Sequence, residues 1–412
     1  MSGTRHGVPR GPARAPGGGS ARPRLLYVVT EDWYFLSHRL PMARAAREAG
    51  FDVVVVARDS GRGEEIERAG FHFAPLRLAR RGRTPWGEAQ AIRDLARLYR
   101  LLRPTIVHHV ALKPVLYGSV AAAATRVPHV VNALTGLGYV FTSPSLNARV
   151  LGALLKPALR WALRRRGTRV ILQNRDDLTL LERLGLVDPR RATLIRGSGV
   201  DTDFFRPEKR VAPEKRAANE DDALKSVRVV MVARALRDKG VLEFIRAAEI
   251  LARDGLQPAV EMVFVGEPDP ANPASVTEAE LRHWAGSGTF RYLGSRDDMD
   301  RVLAEADIAV LPSYREGLPK TLLEAAAMAL PLIATDVPGC REIVRPNETG
   351  LLVPAGDAPA LADAIRELAS DPSRRRRLGD NARQLVTREF SDDVVGEQTA
   401  RLYRQLLETA AQ

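Results

Sequence analysis

Residues 307–335, DIAVLPSYREGLPKTLLEAAAMALPLIAT, decide the fold of this chain because they predict a strand, a helix and a second strand in succession. The apolar run DIAVL, closed by Pro312, is typical of a buried parallel strand. Pro319 suits the first position of a helix, and TLLEAAAMAL behind it is rich in strong helix formers. PLIAT then forms the second strand. This alternation predicts an α/β protein with a parallel, doubly wound sheet.

The same alternation extends over most of the chain in two series. Before residue 205 the apolar runs are LLYVV, FDVVVVA, HFAPL, TIVHHV, HVVNAL, RVILQ and ATLI, and after it they are VRVVMV, VEMVFVG, FRYLG, DIAVL, PLIAT and GLLV. The charged segment RPEKRVAPEKRAANEDDALKS separates the two series, and 412 residues exceed the size at which one core usually suffices. We therefore predict two Rossmann-like domains, 23–205 and 225–390, with a charged linker over 206–224.

Composition limits the class of protein further. Residues 1–22, MSGTRHGVPRGPARAPGGGSAR, have almost no large apolar side chains, so we expect a disordered basic tail and no secretory signal. No run of about 18 apolar residues predicts a membrane-spanning helix. The single cysteine, Cys340, excludes an intrachain disulfide framework and is expected to be a packing residue. These features favour a cytoplasmic protein.

The net charge of +12 invites a nucleic-acid-binding interpretation, but the basic clusters are scattered and no aromatic stacking platform accompanies them. We therefore expect no nucleic-acid partner. Residues 148–166, ARVLGALLKPALRWALRRR, differ because apolar and basic side chains recur there at helical spacing beside Trp161. Such a helix suits an anionic membrane surface, while an ordinary helix packed on the domain core is the alternative. Pro157 is expected to interrupt this helix.

Two carboxylates, Glu316 and Glu324, flank the predicted helix start in the opening stretch. In open α/β sheets, ligands bind beyond the carboxyl ends of the strands, and free N–H groups at a helix start attract phosphate. Glu316 is expected in the loop that faces such a ligand, with Glu324 about one and a half turns into the helix. Both side chains accept hydrogen bonds from hydroxyl groups, although two solvated glutamates are the alternative.

This spacing of two glutamates, with the flanking ATDVPGCRE, resembles the signature of the family 4 retaining glycosyltransferases. Segments at 28–57, 131–141, 230–248 and 263–275 look most like the bacterial members that act on undecaprenyl-diphosphate-linked sugars, such as N-acetylgalactosaminyltransferases. The resemblance spans about residues 24–405. It implies the GT-B fold, in which two doubly wound Rossmann-like domains face each other across a cleft. It also implies that a C-terminal helix, here 391–412, packs back on the first domain.

The resemblance implies a diphosphate clamp for a nucleotide-sugar donor. Arg234 and Lys239 stand in the loop after VRVVMV, at the carboxyl end of a strand, where both can reach two phosphates. Losing a donor of this kind typically costs on the order of 3 kcal/mol in the barrier. Because these cations hold the leaving group, we expect no metal and no other cofactor. Ser295 and Arg296, after FRYLG, occupy the family's base-contacting position.

The resemblance also assigns Glu316, with the backbone of Gly317 and Leu318, to hydroxyls of the donor sugar. Glu324 is assigned to the ribose hydroxyls, since a carboxylate accepts two hydrogen bonds at once. No protein nucleophile is evident. Two mechanisms of retention stay open, a covalent intermediate on a glutamate and a reaction on one face in which a donor phosphate oxygen takes the acceptor's proton.

Acceptor residues are expected in the first domain, after two central strands. They are His108, His109, Lys113, Asn132, Thr135, Gly136 and Gly138. A histidine is often structural, so both roles stay open for the adjacent pair. The first helix region has EDWYFLSHR where the family often has a glycine-rich turn, so no phosphate-contacting glycine is carried over there.

The sequence also suggests interpretations other than a transferase. The acidic pair Asp201 and Asp203 resembles a metal-binding DTD, but it lies in what looks like the family's connection out of the first domain, so it predicts no metal site. The favoured hypothesis is a retaining hexosyltransferase that uses a UDP-sugar and a lipid-linked glycan at the inner face of the plasma membrane. The alternatives are a transferase with a soluble acceptor, a sugar-nucleotide epimerase, and a non-catalytic basic scaffold.

Overall fold

The chain divides into two compact units in a computed structural model that describes residues 22–76, 85–135, 146–210, 226–255 and 258–408. Unit 1 is formed by the residues up to Ile195 together with those from Gly396 onwards, and unit 2 by residues 196–395. The predicted tail, Gly136, Gly138 and most of the charged segment lie outside the described residues.

Unit 1 is built on a seven-stranded parallel sheet. Its strands are β1 (Arg24–Glu31), β2 (Asp52–Arg58), β3 (His72–Pro75), β4 (Ile106–Val110), β5 (His129–Leu134), β6 (Thr168–Leu172) and β7 (Ala192–Leu194). They lie in the order β3-β2-β1-β4-β5-β6-β7. Strands β4 and β5 are buried along their whole length, as expected where helices cover both faces. The order reverses between β1 and β4, which makes that edge the topological switch point of unit 1.

The helices of unit 1 follow the strands in sequence. They are α1 (Asp32–His38), α2 (Leu40–Glu48), α3 (Gly63–Arg68), α4 (Pro85–Leu102), α5 (Leu112–Ala124), α6 (Leu146–Arg164) and α7 (Arg175–Arg183). The C-terminal helix, Asp392–Glu408, also packs in unit 1 through Tyr403, whose hydroxyl lies 2.7 Å from that of Tyr27. Gly396 of this helix lies close to α2, since an added Cβ would come within 2.9 Å of the Ala45 side chain.

Helix α6 continues through Pro157, so the prediction that this proline interrupts the helix is wrong. Pro157 is exposed, whereas Leu159 and Leu163 of the same helix are buried. A proline removes one backbone hydrogen bond and crowds the preceding turn. Burial of the apolar face offsets this loss, because tertiary packing supplies most of a helix's stability.

Unit 2 contains a six-stranded parallel sheet. Its strands are β8 (Ser226–Val232), β9 (Ala259–Val265), β10 (Arg291–Tyr292), β11 (Ile308–Leu311), β12 (Leu332–Thr335) and β13 (Gly350–Val353). They lie in the order β10-β9-β8-β11-β12-β13, so the switch point of this sheet is between β8 and β11. Its helices are α8 (Val241–Asp254), α9 (Glu278–Ala285), α10 (Met299–Ala304), α11 (Lys320–Ala327), α12 (Cys340–Ile343), α13 (Ala358–Ser370) and α14 (Pro372–Glu389).

Side chains from both faces of this sheet are buried, in two clusters. Met231 packs with Phe244 of α8 in one cluster, and the neighbouring Val230 packs with Leu322 of α11 in the other. Successive residues of a strand point to opposite faces, so one strand serves both clusters. The sheet is therefore held rigidly, and the loops at its carboxyl edge are anchored at both ends.

The prediction of two doubly wound parallel sheets is confirmed, and every apolar run that predicted a strand forms one. Strand β10 is limited to Arg291–Tyr292 and is shorter than the predicted FRYLG. Pro319 precedes α11 with extended backbone angles instead of occupying its first position, so the helix begins at Lys320. These differences are confined to the ends of elements, where sequence patterns are least specific.

Candidate active site

The loops that leave β8 and β11 pack against each other at the switch point of unit 2. Gly240 has a φ of +77°, and an added Cβ would overlap the carbonyl oxygen of Pro312. The backbone N–H of Tyr314 donates to the carbonyl of Asp238 at 3.0 Å. Only a residue without a side chain tolerates both that approach and that backbone conformation. The contact brings Lys239 beside Glu316.

Lys239 and Glu316 form the central pair of the site. The Lys239 ammonium donates to Oε1 of Glu316 at 2.5 Å, and the Ser313 hydroxyl donates to the same oxygen at 2.7 Å. Ser313 is itself held, because the Thr335 hydroxyl donates to its carbonyl oxygen. Glu316 is 9% exposed, so its charge is paired in a site largely screened from water. Both bonds use Oε1, which leaves Oε2 for other donors.

Arg234 reaches the same edge of the sheet from the start of the β8–α8 loop. Its guanidinium is 46% exposed and donates to Asp269 at 2.8 Å. Asp269 is positioned in turn by its backbone N–H, which donates to the Ser275 hydroxyl at 2.9 Å. Arg234 and Lys239 are both cations with donor groups only, so they form no hydrogen bond or ion pair with each other. The two predicted clamp residues therefore lie in one loop with separate carboxylate partners.

Glu324 lies in the second turn of α11 and is 13% exposed. The pKa of its carboxyl group is raised to about 7, mainly by burial and to a smaller extent by the charge of Asp392. The Lys320 ammonium, 3.9 Å away, opposes this shift. A carboxyl group with a pKa near neutrality changes its charge in the physiological range, and only its ionised form accepts hydrogen bonds with both oxygens.

The backbone of Gly317 is held from the β12 side by Gly339. Gly339 has a φ of +82°, and an added Cβ would lie 2.5 Å from the Gly317 carbonyl oxygen and 2.8 Å from that of Glu316. Leu318 packs against Gly197, where an added Cβ would overlap its side chain. Cys340 starts α12 and is fully buried, and burial raises the pKa of its thiol. The loop 316–318 is therefore shaped by close backbone contacts.

Ser295 and Arg296 follow β10 on an exposed segment. The Arg296 guanidinium donates to both oxygens of Asp298, at 2.7 and 2.6 Å. This bidentate pair holds Arg296 locally, and no contact in the described part of the chain joins it to Lys239 or Glu316. The structure thus brings together Lys239 and Glu316, and places Arg296 apart from them.

His109 and Asn132 of the predicted acceptor set lie inside unit 1 in a saturated hydrogen-bond network. The ring nitrogens of His109 lie 2.9 Å from the Tyr99 hydroxyl and 2.8 Å from Oδ1 of Asn132. The Asn132 amide donates to Ser119 and to the carbonyl of Ala162, both at 3.2 Å. Burial lowers the pKa of His109 to about 4, so the ring is neutral. This arrangement favours the structural role that the sequence left open for His109.

His108 points to the opposite face of the sheet from His109, as alternation along β4 requires. Its Nδ1 lies 2.5 Å from the Tyr403 hydroxyl, and its Nε2 is buried with no partner among the described residues. Lys113 pairs with Glu88 at 3.1 Å, and Thr135 is half-buried just after β5. Two of the predicted acceptor residues therefore lie in an internal network, whereas His108 has one ring nitrogen without a partner among the described residues.

Several site residues had no role in the sequence analysis. Ser313 and Thr335 hold Glu316, and Tyr314 donates to Glu243 at 3.0 Å while its backbone binds the β8–α8 loop. The available signal was position, since Ser313 and Tyr314 come just after Pro312, which closes the predicted strand DIAVL. That position did not predict which residues of other loops Ser313 and Tyr314 would contact.

The acidic residues considered as metal ligands have another role. Asp201 accepts from the backbone N–H groups of Asp203 and Phe204 at 3.0 and 2.7 Å, so it caps a turn. Across the described ranges, no group of three or more His, Cys, Asp or Glu side chains is arranged to hold a metal ion.

The basic face of α6 is exposed where the structure describes its side chains. Lys156, Arg160, Trp161 and Arg164 are exposed, with Trp161 at 46%. Arg160 and Arg164 donate to the carbonyl of Gly185 and not to carboxylates. Among the helices in the described residues, none is long and apolar enough to cross a membrane.

Comparison with known proteins places this architecture in a family. Residues 24–174 match the model described as "Glycosyl transferase 4-like", and residues 213–385 match "Glycosyl transferases group 1". The chain is 26% identical over 388 residues to the N,N'-diacetylbacillosaminyl-diphospho-undecaprenol alpha-1,3-N-acetylgalactosaminyltransferase of Campylobacter jejuni, which covers 90% of this chain and 98% of that protein.

Two further similarities extend the comparison. The UDP-Gal:alpha-D-GlcNAc-diphosphoundecaprenol alpha-1,3-galactosyltransferase of Escherichia coli is 27% identical over 294 residues, covering 68% of this chain and 71% of that protein. The fold matches Anabaena HepE, solved in complex with UDP-glucose, with a TM-score of 0.71, 18% identity and coverage of 93% and 99%. The two family models and the shared fold show that this chain belongs to the group 1, or family 4, retaining glycosyltransferases of GT-B fold.

Proposed function

We propose that this enzyme transfers a hexose or N-acetylhexosamine from a UDP-sugar to an undecaprenyl-diphosphate-linked glycan during synthesis of a surface polysaccharide or glycan. The observation that carries the proposal is the Lys239–Glu316 pair, a cation and a hydroxyl acceptor 2.5 Å apart at the switch point of unit 2. The Campylobacter and E. coli relatives use diphospho-undecaprenol acceptors, and HepE binds UDP-glucose. These similarities support the choice of donor and acceptor.

Lys239 and Arg234 are assigned to the two phosphates of the donor. An ammonium has three N–H donors, so Lys239 has two left for phosphate oxygens after its bond to Glu316. Arg234 is half-exposed, and a surface ion pair such as that with Asp269 is worth about 0–1 kcal/mol, so a diphosphate competes readily for its guanidinium. Both cations would stabilise the negative charge that develops on the leaving UDP.

Glu316 and the backbone of Gly317 and Leu318 are assigned to the hydroxyls of the donor sugar. Oε2 of Glu316 is the available acceptor, because Lys239 and Ser313 both donate to Oε1. This pairing favours reaction on one face, since a carboxylate held by a cation and a hydroxyl is a weak nucleophile. The bond from the anomeric carbon to phosphate breaks, the bond to the acceptor oxygen forms, and a phosphate oxygen takes the acceptor's proton.

The nucleoside is assigned to residues further along the same edge of unit 2. Glu324, in the second turn of α11, would accept from both ribose hydroxyls in its ionised form. Ser295 and Arg296 are assigned to the base, which their exposed position after β10 permits. This donor site needs no metal, because fixed side chains carry the positive charge.

The acceptor is assigned to unit 1 and to the membrane surface. His108, Lys113 and Thr135 remain the acceptor-side residues among those described, whereas His109 and Asn132 are assigned a supporting role inside the fold. The exposed basic face of α6, with Trp161, suits an anionic bilayer. We place the enzyme in the cytoplasm at the inner face of the plasma membrane, where a lipid-linked acceptor is within reach.

Calorimetric titration of UDP and GDP, with and without Mg²⁺, tests the donor site. We expect UDP binding that does not need Mg²⁺ and that weakens at least about tenfold in Lys239→Ala, since a charge-assisted hydrogen bond is lost. Arg237→Ala is the matched control in the same loop, because Arg237 is 49% exposed and pairs with Glu280. Equal losses in both variants, or no nucleotide binding by the wild type, would refute the assigned site.

Turnover of the UDP-sugar distinguishes the acceptor classes. Release of UDP that depends on a polyprenyl-diphosphate sugar supports the lipid-linked acceptor. Release with a soluble sugar alone supports a soluble acceptor, and conversion of the donor sugar without UDP release indicates an epimerase.

A further inference from the structure

A buried arginine in unit 1 lacks a carboxylate partner. Arg39, between α1 and α2, is 3% exposed. Its two terminal nitrogens make only long contacts, Nη1 to the Met42 sulfur and Nη2 to the Tyr34 hydroxyl, both at 3.4 Å. Its Nε is buried with no partner among the described residues. Burying a permanent charge is strongly unfavourable unless an anion or strong acceptors surround it.

The carboxylates nearest to Arg39 in sequence are engaged elsewhere. Asp32 accepts from the backbone N–H groups of Ser60 and Arg62 at 2.6 and 3.0 Å. Glu31 pairs with Arg58 at 2.8 Å. Neither forms a hydrogen bond or an ion pair with Arg39 in the part of the chain that the structure describes. The guanidinium therefore has the donors of an anion site and no carboxylate partner among the described residues.

His108 supplies a second polar atom without a partner among the described residues, and a chain of contacts links it to Arg39. The His108 ring lies 4.8 Å from the ring of Tyr27, Tyr27 packs on Phe35, and the Phe35 carbonyl accepts from the Arg39 backbone N–H at 2.8 Å. Nε2 of His108 is buried without a partner among the described residues. Burial lowers the pKa of His108 well below its usual value, and the charge of Arg39 adds to this effect. The ring is therefore neutral. If the Tyr27 hydroxyl donates to Tyr403 and Tyr403 donates to Nδ1 of His108, both hydroxyls are satisfied and Nε2 carries the proton. The opposite direction would leave two buried groups unsatisfied among the described residues, the Tyr27 hydroxyl hydrogen and the Nε2 lone pair, whereas the first direction leaves only the Nε2 N–H. The bond pattern therefore assigns the N–H donor to Nε2.

The position of these donors fits a ligand site. Tyr27 of β1 pairs in register with His108 of β4, and these two strands meet at the switch point of unit 1. Ligands of doubly wound sheets bind beyond the carboxyl ends of strands at such a point, and His108 lies two residues before the carboxyl end of β4. Tyr34 contacts the guanidinium and is itself half-buried, so the charge lies one side chain below the surface.

We infer that Arg39 and His108 form a binding site for a phosphate-class oxyanion. An oxyanion is an acceptor-only group, which matches a cationic donor that makes two long contacts and a neutral N–H donor that has no acceptor in the described part of the chain. The inference rests on the proposed function only for the source of the oxyanion, which is the diphosphate of a lipid-linked acceptor. Free phosphate or pyrophosphate has the same chemistry and is the other source to be tested.

Calorimetric titration of inorganic pyrophosphate into the full chain tests the site. We expect binding by the wild type that weakens about 10- to 100-fold in Arg39→Met, because a charge-assisted contact is removed. Arg44→Gln is the matched control, since Arg44 lies exposed on the adjacent helix α2 and its loss removes one charge as well. UDP affinity measured on the same proteins should not change in Arg39→Met, so failure of the donor site is detected separately.

The Tm of the ligand-free protein separates a ligand site from a structural role. Replacing an unpaired buried charge by an apolar side chain of similar length is expected to leave the Tm unchanged or to raise it. A lower Tm of Arg39→Met, no pyrophosphate binding by the wild type, or equal binding by wild type and Arg39→Met would each overturn the inference. Displacement of pyrophosphate by a short-chain polyprenyl-diphosphate sugar assigns the site to the acceptor, and no displacement assigns it to the free oxyanion.

Discussion

The affinity for UDP should depend on pH through Glu324. Its carboxyl group has a pKa raised to about 7, mainly because α11 and its neighbours bury it. If only the ionised form accepts both ribose hydroxyls, the apparent Kd is multiplied by one plus the ratio of protonated to ionised enzyme. That factor is about 1.1 at pH 8 and about 11 at pH 6 for a pKa of 7, so affinity should fall about tenfold between these values.

The assay is calorimetric titration of UDP at pH 6, 7 and 8 with wild type and Glu324→Gln. The phosphates of UDP titrate in the same range, but their effect is common to both proteins and cancels in the ratio of the two affinities. We expect that ratio to change about tenfold across the range, since glutamine has no proton to gain or lose. A ratio that stays constant with pH would refute the reasoning.

The same pKa has a consequence for stability that needs no ligand. The folded state holds the Glu324 proton more tightly than the unfolded chain, whose ordinary pKa is 4.5, so the wild type loses stability as pH rises from about 4.5 to about 7. A shift of this size corresponds to on the order of 3 kcal/mol. In urea unfolding, the free energy of unfolding of Glu324→Gln should therefore increase relative to that of the wild type between pH 5 and pH 8. Parallel profiles would contradict the raised pKa.

Two further variants test the packing around the sites. Gly339→Ala should lower stability by more than about 1 kcal/mol and weaken UDP binding, because its Cβ would displace the Gly317 carbonyl. Gly255→Ala is the control for backbone strain, since Gly255 is also at positive φ but has open space around it. Equal effects of the two substitutions on UDP affinity would contradict the steric argument. Asn132→Ala should lower the free energy of unfolding in urea by about 1–3 kcal/mol and leave UDP affinity unchanged, because Nδ1 of His109 loses its partner while Nε2 keeps Tyr99. A raised acceptor KM at unchanged stability would instead return Asn132 to the acceptor site.

The architecture was predictable because buried parallel strands carry an unmistakable local pattern. The runs DIAVL and PLIAT each form the strand that they predict, and the helix formers between them build α11. Hydrophobic runs of this kind depend only on burial from both faces, which is a property of each segment. Pro157 shows the limit of the approach, because its cost within α6 is offset by partners far away in sequence.

Parts of the candidate site were predictable for a similar reason. Residues after a strand of a parallel sheet reach its carboxyl edge whatever the tertiary details, so Lys239 and Glu316 were both expected there. Their direct pairing was not, since the two residues are separated by 77 positions and meet only because β8 and β11 are neighbours. Ser313 and Thr335 complete the pair through the same neighbourhood.

The sequence alone determined the class of fold, the two series of strands and the edges at which ligands are expected, because these follow from local periodicity and from the geometry of parallel sheets. The tertiary structure decided what each polar side chain meets. His108 and His109 are adjacent in sequence, yet one joins Tyr403 and leaves a free nitrogen, whereas the other is saturated by Tyr99 and Asn132. Alternation along a strand sends neighbours to opposite faces, and only the helices packed on each face decide which of them keeps an unpaired polar atom.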